Sequence, residues 1–371
     1  VKGSGWDLGD IEPAGLPAVR IEPLRQAARL QALTDEEMVN LQRINLLDAD
    51  APNPSVETLL HAFLPHKFVD HTHANAVLAL TDEEHGERLC RETFGGRMGY
   101  VPYIMPGFAL ATLAAEVYER APDVEGLVLL NHGLFTFADD ARTAYERMIA
   151  GVDRAERFVR QQERAATRVT VAGGLDPVRA ETAAARLAPV LRGVLAESAG
   201  AGDRPWRQMV LEHRASERLL AALARPDAAQ LAAAGPLTPD HVIRTKGPAL
   251  FLSDDLPLGD DAALRTRLAA AVADFRTRYD AYFEANRARA RTALTKLDSF
   301  PRVVLAPGIG ILAAGRTKAD ARVAADIAEH TVPAKALANT VGRYTALADG
   351  DLFDMEYWSL EQAKLGKAKD A

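Results

Sequence analysis

The chain has 371 residues, a formal net charge of −7 and a single cysteine, Cys90. This length is more than one ordinary core needs and predicts two domains, while the acidic balance argues against a nucleic-acid-binding protein. One cysteine excludes an internal disulfide and is typical of a reducing cytoplasm. We find neither a signal peptide nor an apolar run near the roughly 18 residues of a membrane span, so we expect a cytoplasmic protein without membrane or nucleic-acid partners.

The N-terminal segment predicts a loop with short strands, followed by a helix. Residues 1–25 are rich in Gly and Pro, with short apolar runs between them. Because the chain begins at Val1 within what reads as a motif, we expect natural sequence upstream. Thr34 followed by Glu37 forms a capping-box pattern, which predicts a helix that reaches about Leu47.

A second helix is predicted over residues 56–64, with Ser55 as its N-cap and Glu57 in its first turn. Acidic residues are favoured there by the helix dipole alone, so Glu57 needs further context before it is assigned any chemistry. His61 lies one turn after Glu57 and faces the same side of this helix. It either supports Glu57 or packs as an ordinary helix histidine.

The stretch His71-Thr72-His73 is the strongest chemical signal in the chain. It follows Phe68-Val69 and precedes the apolar run 76–80, which predicts a mostly buried strand. Side chains alternate along a strand, so His71 and His73 share one face. Two neighbouring imidazoles on a strand supply half of a site for zinc or a similar metal.

A third histidine follows a second buried strand. Residues 124–130 form an almost unbroken apolar run, which predicts a strand buried on both faces. This strand ends at His132 and is expected to continue through 134–137 after a kink at Gly133. Such a histidine is either structural or a ligand. Around this strand the sequence predicts a helix over 81–93, extended chain over 100–103, and helices over 108–120 and from 141 to about 168.

The second half of the chain predicts another α/β region. Gly173-Gly174 marks a break, after which residues 173–240 are expected to form a helical connector. We therefore predict three parts, which are a metal-binding domain over 1–172, this connector, and a second α/β domain over 241–371. Within the last part, the pattern predicts strands over 241–252 and 302–312, helices over 261–293, 317–330 and 332–342, and a final helix after the acidic stretch 351–358.

The two halves share an internal similarity, which predicts that the second is a degenerate copy of the first. Residues 69–82 align with 242–255, and residues 127–148 align with 303–328. In this alignment Arg244-Thr245-Lys246 replaces the two histidines of the first half, and charged Arg and Lys do not ligate metals. A Gly-x-Gly-x-x-Ala match within 308–313 suggests a dinucleotide site, but the apolar run continues through it as a strand, so we expect none there.

Together, His71, His73 and His132 form a candidate three-imidazole metal set. Three neutral ligands leave the full charge of a zinc ion and an open coordination position. Such an ion polarises a carbonyl and stabilises an enediolate. A carboxylate must then move the proton, and Glu57 is the candidate.

These motifs, together with Ser55-Val56-Glu57 and Asn131 to Phe135, resemble those of the class II aldolase/adducin family. The resemblance is closer still to the aldolase portion of bifunctional rhamnulose-1-phosphate aldolase/short-chain alcohol dehydrogenase proteins. Stretches across most of the chain carry it, among them PSVETLLHAFLPHKFVDHTHA, YIMPGFALA, TPDHVIRTK and DLFDMEYWSLEQAKLG.

The resemblance implies a central sheet flanked by helices, a homo-oligomeric assembly and a phosphorylated sugar substrate. It implies that Zn²⁺ or another divalent ion binds the three histidines and that Glu57 is the acid/base. It implies reversible cleavage of a ketose 1-phosphate, such as L-rhamnulose 1-phosphate, to dihydroxyacetone phosphate and L-lactaldehyde.

For the substrate phosphate, the family pattern points to Ser4, Gly5 and Ser55, although Val56 stands where the family has a second serine. Further family segments, namely a phosphate loop upstream and a dehydrogenase domain downstream, are expected outside this sequence. Three other functions stay open. They are a sugar-phosphate 4-epimerase of the same superfamily, a non-catalytic adducin-like binding module, and a hydrolase that uses zinc-bound hydroxide.

Overall fold

The computed structural model describes residues 1–165, 176–200, 202, 205–290, 294–362 and 365. The chain forms two compact units of mixed α/β structure, the first of which holds Val1–Val77 and His85–Phe158. The second holds Leu78–Glu84 and Val159–Leu365. The predicted break at Gly173-Gly174, the ends of the helices predicted to reach 168 and 293, and most of the charged tail lie outside the described residues. The three predicted domain boundaries stay predictions.

The first unit is built on a four-stranded sheet in the order β1-β4-β3-β2. β1 and β3 are antiparallel to β4, and β2 is parallel to β3. The strands are β1 (Phe68–Thr72), β2 (Met98–Val101), β3 (Gly126–Leu129) and β4 (Gly133–Ala138). The helices up to Ala165 are α1 (Ile21–Ala27), α2 (Asp35–Ile44), α3 (Thr58–Phe63), α4 (Asn75–Thr81), α5 (Gly86–Phe94), α6 (Phe108–Arg120) and α7 (Ala141–Ala165).

The second unit contains another four-stranded sheet, in the order β7-β10-β9-β8, and a two-stranded ribbon, β5-β6. The strands are β5 (Glu197–Ser198), β6 (Trp206–Arg207), β7 (Val210–Arg214), β8 (Leu250–Phe251), β9 (Val303–Ala306) and β10 (Gly310–Gly315). The helices are α8 (Pro177–Val194), α9 (Glu217–Leu223), α10 (Ala228–Ala233), α11 (Val242–Thr245), α12 (Asp261–Asn286), α13 (Lys318–Val341), α14 (Asp349–Glu356) and α15 (Ser359–Gln362).

The two four-stranded sheets have the same topology, which confirms the expected second copy of the α/β unit. In each sheet the first and third strands are antiparallel to the fourth, and the second strand is parallel to the third. The alignment of 127–148 with 303–328 is correct, because it matches the β3-β4 hairpin to the β9-β10 hairpin. The alignment of 69–82 with 242–255 is wrong, because the counterpart of β1 is β7, and 242–255 holds α11 and β8 instead.

The strand register identifies the true counterpart of His71. His71 is paired with Phe135 on β4, two positions after the glycine that begins this strand. His213 is paired with Leu312, which is also two positions after the glycine that begins β10. The second copy therefore retains one imidazole in the sheet position of His71, in place of the arginine that the sequence alignment suggested.

The other two imidazoles have no histidine counterpart in the second copy. His73 lies two residues after His71, and the matching residue of the second copy is Ala215. His132 precedes the first glycine of β4, and the matching residue before β10 is Ile309. With one of three imidazoles left, this sheet cannot repeat the metal set of the first unit.

Several short apolar runs do not form the predicted elements. Residues 76–80, predicted as a strand, lie in α4, where helix residues such as Val77 and Leu80 are fully buried. Residues 134–137 return antiparallel to β3 as β4 instead of continuing it, and 302–312 likewise contains a hairpin. A short run buried on all sides carries no periodicity that separates a strand from a helix.

Local signals with a defined geometry predicted their elements well. Thr34 accepts a hydrogen bond from the amide of Glu37, and the Glu37 carboxylate accepts one from the amide of Thr34, so the predicted capping box begins α2. Ser55 is not the N-cap of the next helix, because α3 begins at Thr58 directly after Glu57. In the described ranges no helix is both long and apolar enough to cross a membrane.

Candidate metal centre

Four side chains from three places in the first unit meet at one point. His71 lies on the edge strand β1 and His73 just beyond its end, while His132 lies in the turn between β3 and β4, and Glu57 directly precedes α3. One ligand atom of each, Glu57 included, lies within 4.8 Å of the others. The pairing of β1 with β4 brings together residues that are about 60 positions apart in sequence.

The atoms that point toward one another in this cluster are carboxylate oxygen and imidazole nitrogen, which accept hydrogen bonds or bind metal ions. Oε1 of Glu57 lies 2.8 Å from Nε2 of His132 and 3.1 Å from Nε2 of His71. The Nε2 atoms of His71 and His73 are 2.9 Å apart. Lone pairs that converge at such distances repel each other unless protons or a cation lie between them. A divalent cation satisfies all four ligand atoms at once.

The backbone fixes which nitrogen of His71 faces the cluster. Nδ1 of His71 lies 3.0 Å from the carbonyl oxygen of Leu134, to which it donates in the neutral ring. Nε2 is then unprotonated and free to bind a metal, which is the usual arrangement of metal-ligating histidines. The ring also stacks on Phe135, with centroids 3.8 Å apart and an interplanar angle of 13°. Its orientation is therefore set before any ion binds.

The turn between β3 and β4 positions His132. Asn131 has a φ of 54°, a left-handed conformation that Asn tolerates better than most residues. A Cβ atom at Gly133 would collide with the carbonyl oxygen of Thr72 and lie 3.0 Å from the His73 ring and 3.2 Å from the His71 ring. Glycine at this position therefore allows β4 to approach the two histidines closely.

The electrostatics of the cluster keep Glu57 ionised. Burial raises the pKa of its carboxyl, but the interactions of the carboxylate with the neighbouring His71 and His132 outweigh burial and hold that pKa well below the usual range. The hydroxyl of Ser55 donates to Oε2 of Glu57 at 3.3 Å and accepts from the Glu57 amide. Ser55, which the resemblance assigns to phosphate, also orients Glu57 here.

His61 packs behind the cluster. Its ring meets Phe135 edge-on, with centroids 5.5 Å apart. Burial and the charge of His71 lower the pKa of His61 to about 4, although the carboxylate of Glu57 opposes this shift. His61 is therefore a neutral side chain at neutral pH, next to the cluster but outside the set of four facing ligand atoms.

The other residues predicted to contact phosphate lie beside the loop that precedes α3. The backbone of Gly3 bridges to Pro54, and the amide of Ser4 donates to the carbonyl of Asn53 at 2.7 Å. Gly5 has a φ of 89°, which favours glycine. The structure thus places Ser4 next to the loop that leads to Ser55, but the Ser4 amide is already engaged. Its hydroxyl is the group left for a ligand.

Two parts of this site were not apparent in the sequence. The carbonyl of Leu134 and the ring of Phe135 hold His71, a role that neither the apolar strand nor the family motif containing both residues indicated. Their role depends on the register between β1 and β4, which no local motif reports. The available signal was that Leu134 and Phe135 end the family motif that runs from Asn131 to Phe135.

The donor set fits a divalent ion. Three imidazoles and a carboxylate are ligands that zinc accepts, and the tautomer of His71 is correct for ligation. A buried nitrogen, Nδ1 of His132, has no hydrogen-bond partner among the described residues. The residues therefore suit a divalent metal ion such as Zn²⁺.

Comparison with known families matches both halves of the chain. A family model described as Class II Aldolase and Adducin N-terminal domain matches residues 1–159. A second model, described as Aldolase class II, second domain, matches residues 182–365. The two matches agree with the two sheets of shared topology.

One curated relative matches almost the whole chain. An uncharacterized oxidoreductase, YuxG, from Bacillus subtilis (strain 168) is 30% identical over 370 residues, which cover 98% of this chain and 52% of that protein. This chain therefore spans about half the length of that curated relative.

Two solved structures are also similar. The N-terminal class II aldolase domain of a conserved protein from Thermoplasma acidophilum is 40% identical, covering 43% of this chain and 73% of that one with a TM-score of 0.40. An aldolase II superfamily protein from Pseudomonas syringae is 18% identical, covering 32% and 52% with a TM-score of 0.27. On the two family models, this chain belongs to the class II aldolase/adducin family.

Proposed function

We propose that this protein is a divalent-metal-dependent aldolase that reversibly cleaves a ketose 1-phosphate, L-rhamnulose 1-phosphate, to dihydroxyacetone phosphate and L-lactaldehyde. The observation that carries the proposal is the position of Glu57. Its Oε1 lies within 3.1 Å of two imidazole nitrogens of a set suited to a metal. An acid/base group beside a Lewis acid is what aldol cleavage needs.

The residues that would hold the ion are His71, His73 and His132. An ion bound there supplies a Lewis acid that polarises the substrate carbonyl and stabilises negative charge on the adjacent carbons. Cleavage breaks one carbon–carbon bond, removes a proton from the substrate hydroxyl and adds a proton to the carbon that is released. We assign the transfer of that proton to Glu57, because its carboxylate is ionised and lies partly buried beside the imidazoles.

Ser55 supports this role of Glu57 through the hydrogen bond between its hydroxyl and Oε2. That bond leaves Oε1 as the oxygen that faces the histidines. Binding of the substrate phosphate by Ser4, Gly5 and Ser55 is part of the proposal and rests on the family pattern and on the neighbouring positions of the two loops. Assembly as a homo-oligomer is likewise proposed from the family.

The decisive experiment compares wild-type protein with Glu57→Gln. Gln keeps the size of the side chain but cannot accept or release a proton at physiological pH. We expect metal content, measured by elemental analysis, to be largely retained, and release of dihydroxyacetone phosphate from L-rhamnulose 1-phosphate to fall about 100-fold or more. Glu116→Gln on α6, which removes an exposed carboxylate paired with Arg120, is the matched control and should leave turnover unchanged.

The products separate the alternatives. Unchanged turnover in Glu57→Gln would contradict the role assigned to Glu57. If wild-type protein binds metal but converts a pentulose phosphate to its epimer without releasing dihydroxyacetone phosphate, the reaction is a 4-epimerisation. If wild-type protein holds less than one tightly bound metal ion per chain and shows no turnover, a non-catalytic binding role is supported instead.

A further inference from the structure

The second unit contains a pocket whose wall is formed mainly by small apolar side chains. Parts of α9, α10, β9 and α13 line it, and its cavity volume is about 40 Å³, which is room for roughly three water molecules. Five alanines contribute to the wall, namely Ala222, Ala228, Ala232, Ala249 and Ala328. Alanine is too short to fill the space that larger side chains occupy in a close-packed core. The pocket therefore exists because the sequence places alanines at these positions of the fold.

One ammonium group lies in this apolar wall. Lys335 of α13 lines the pocket and is only 7% exposed. Its Nζ donates to the carbonyls of Leu231, at 3.4 Å, and Ala234, at 3.2 Å, at the C-terminal end of α10. An ammonium has three donors. Within the part of the chain that the structure describes, these two neutral acceptors leave one donor and the full positive charge for other partners.

The surroundings compensate this charge weakly. Burial lowers the pKa of Lys335 to about 8, and the charge of Asp82 acts in the opposite direction. A group with this pKa is mostly protonated at neutral pH. Asp82 is itself buried, and burial raises the pKa of its carboxyl well above the usual range, so it is a weak counter-ion. The Tyr344 ring lies 5.5 Å from Nζ but brings no negative charge.

The polar side chains of the pocket are few. Thr331 lies one helical turn before Lys335 on α13, so both side chains line the same wall. Thr245 also lines the pocket, but its hydroxyl donates to backbone carbonyls. His241 is the remaining polar side chain of the wall. A mostly apolar wall with one lysine and a few neutral polar side chains is typical of a site for a ligand with an apolar body and an anionic head.

We propose that this pocket binds a short, branched aliphatic carboxylate. The carboxylate accepts from Nζ of Lys335, and the alkyl group fills the space beside the alanines. Pairing is favourable because a buried ammonium without a close counter-ion is costly. The pocket is lined by residues of the second unit only and uses neither Glu57 nor the three histidines. The proposal is therefore independent of the aldolase reaction.

The test uses isovalerate as probe and its neutral analogue isovaleramide as comparison, measured by isothermal titration calorimetry on the full chain. A metal chelator is present, so that carboxylates do not bind an ion at the histidine cluster. We expect isovalerate to bind with a Kd of about 1 mM or lower, and isovaleramide to bind at least about tenfold more weakly. Hydrogen exchange should show protection by isovalerate in α10 and in the second half of α13.

Two variants test whether Lys335 is the cation that binds the carboxylate. Lys335→Met should remove the preference for the carboxylate over the amide. Lys296→Met, which removes an exposed lysine paired with Asp280, should keep it. The proposal is overturned if wild-type protein binds the two probes equally well, if it binds neither, or if protection appears outside α10 and α13. These three outcomes are read on wild-type protein and do not depend on whether Lys335→Met folds.

Discussion

At the scale of single residues, the site depends on one carboxylate oxygen that faces two imidazoles. Glu57 occupies the last position before α3, where an acidic residue is common for the helix dipole alone. The sequence therefore identified Glu57 as a candidate but could not show that its carboxylate lies beside the histidines. Its contacts with His71 and His132 come from tertiary structure, and so does the ionised state that those contacts impose.

His61 provides a prediction about pH. Its pKa in the folded protein is about 4, against an ordinary value of 6.5. Between these values the unfolded chain binds a proton that the folded protein does not, so stability falls as pH falls. For metal-free protein we expect this residue to account for a loss of about 2 kcal/mol between pH 7 and pH 5.

Urea unfolding of wild-type protein and His61→Phe at the two pH values checks this. The variant should lose less stability on acidification than wild type by about that amount. His85→Gln, at an exposed position, is the control and should behave like wild type. An identical pH dependence in wild type and His61→Phe would show that folding does not lower the pKa of His61.

At the scale of elements, the β3-β4 hairpin and the edge strand β1 build the site together. Sequence motifs identified His71, His73 and His132 as candidates because their types and spacing are typical of metal ligands. They could not show that β1 is paired with β4, since that pairing depends on contacts distant in sequence. β7 was missed for a similar reason, because Val210–Arg214 contains only two apolar residues and lies between helices.

The close approach at Gly133 gives a prediction for this hairpin. In Gly133→Ala the added methyl group collides with the backbone of Thr72 and lies against the imidazole rings of His71 and His73. We expect metal affinity to fall about 10-fold or more, because ligand geometry is disturbed while every ligand is retained. Competition with a chromogenic chelator measures this affinity.

Gly151→Ala, on α7, serves as the comparison for a general packing defect, since a Cβ there meets only the side chains of Leu134 and Met98. If both variants lose metal affinity equally, the effect is not specific to the contact between Gly133 and the histidines. If neither loses any, the hairpin has more freedom than the structure indicates.

At the scale of the whole molecule, the two units share a sheet topology but differ in their buried polar residues. In the second unit, Nζ of Lys246 lies 3.6 Å above the ring of Tyr279, whose hydroxyl donates to Glu356 at 2.9 Å. Burial lowers the pKa of Lys246 to about 8, while the charge of Glu356 supports its protonation. Buried charges of opposite sign thus depend on each other in this unit.

This dependence predicts a stability change. Glu356→Leu leaves the Lys246 ammonium buried without its counter-charge and should reduce the free energy of unfolding by about 3–5 kcal/mol. The double variant Lys246→Met/Glu356→Leu should recover most of that loss, because both charges are then absent. Denaturant unfolding of the four proteins in this double-mutant cycle measures the coupling. Additive effects of the two substitutions would contradict the proposed dependence.

His213, the histidine of the second copy, occupies the same strand position as His71 but makes different hydrogen bonds. In the first copy, Nδ1 of His71 donates to a carbonyl and Nε2 faces the cluster. In the second copy, Nε2 of His213 lies 2.8 Å from the carbonyl of Ile309, to which it donates. The nitrogen that could have held an ion instead closes a hairpin turn. In this copy the imidazole therefore stabilises the backbone of the β9-β10 turn, so that the fold of the second sheet depends on a residue type that the first sheet uses as a candidate metal ligand.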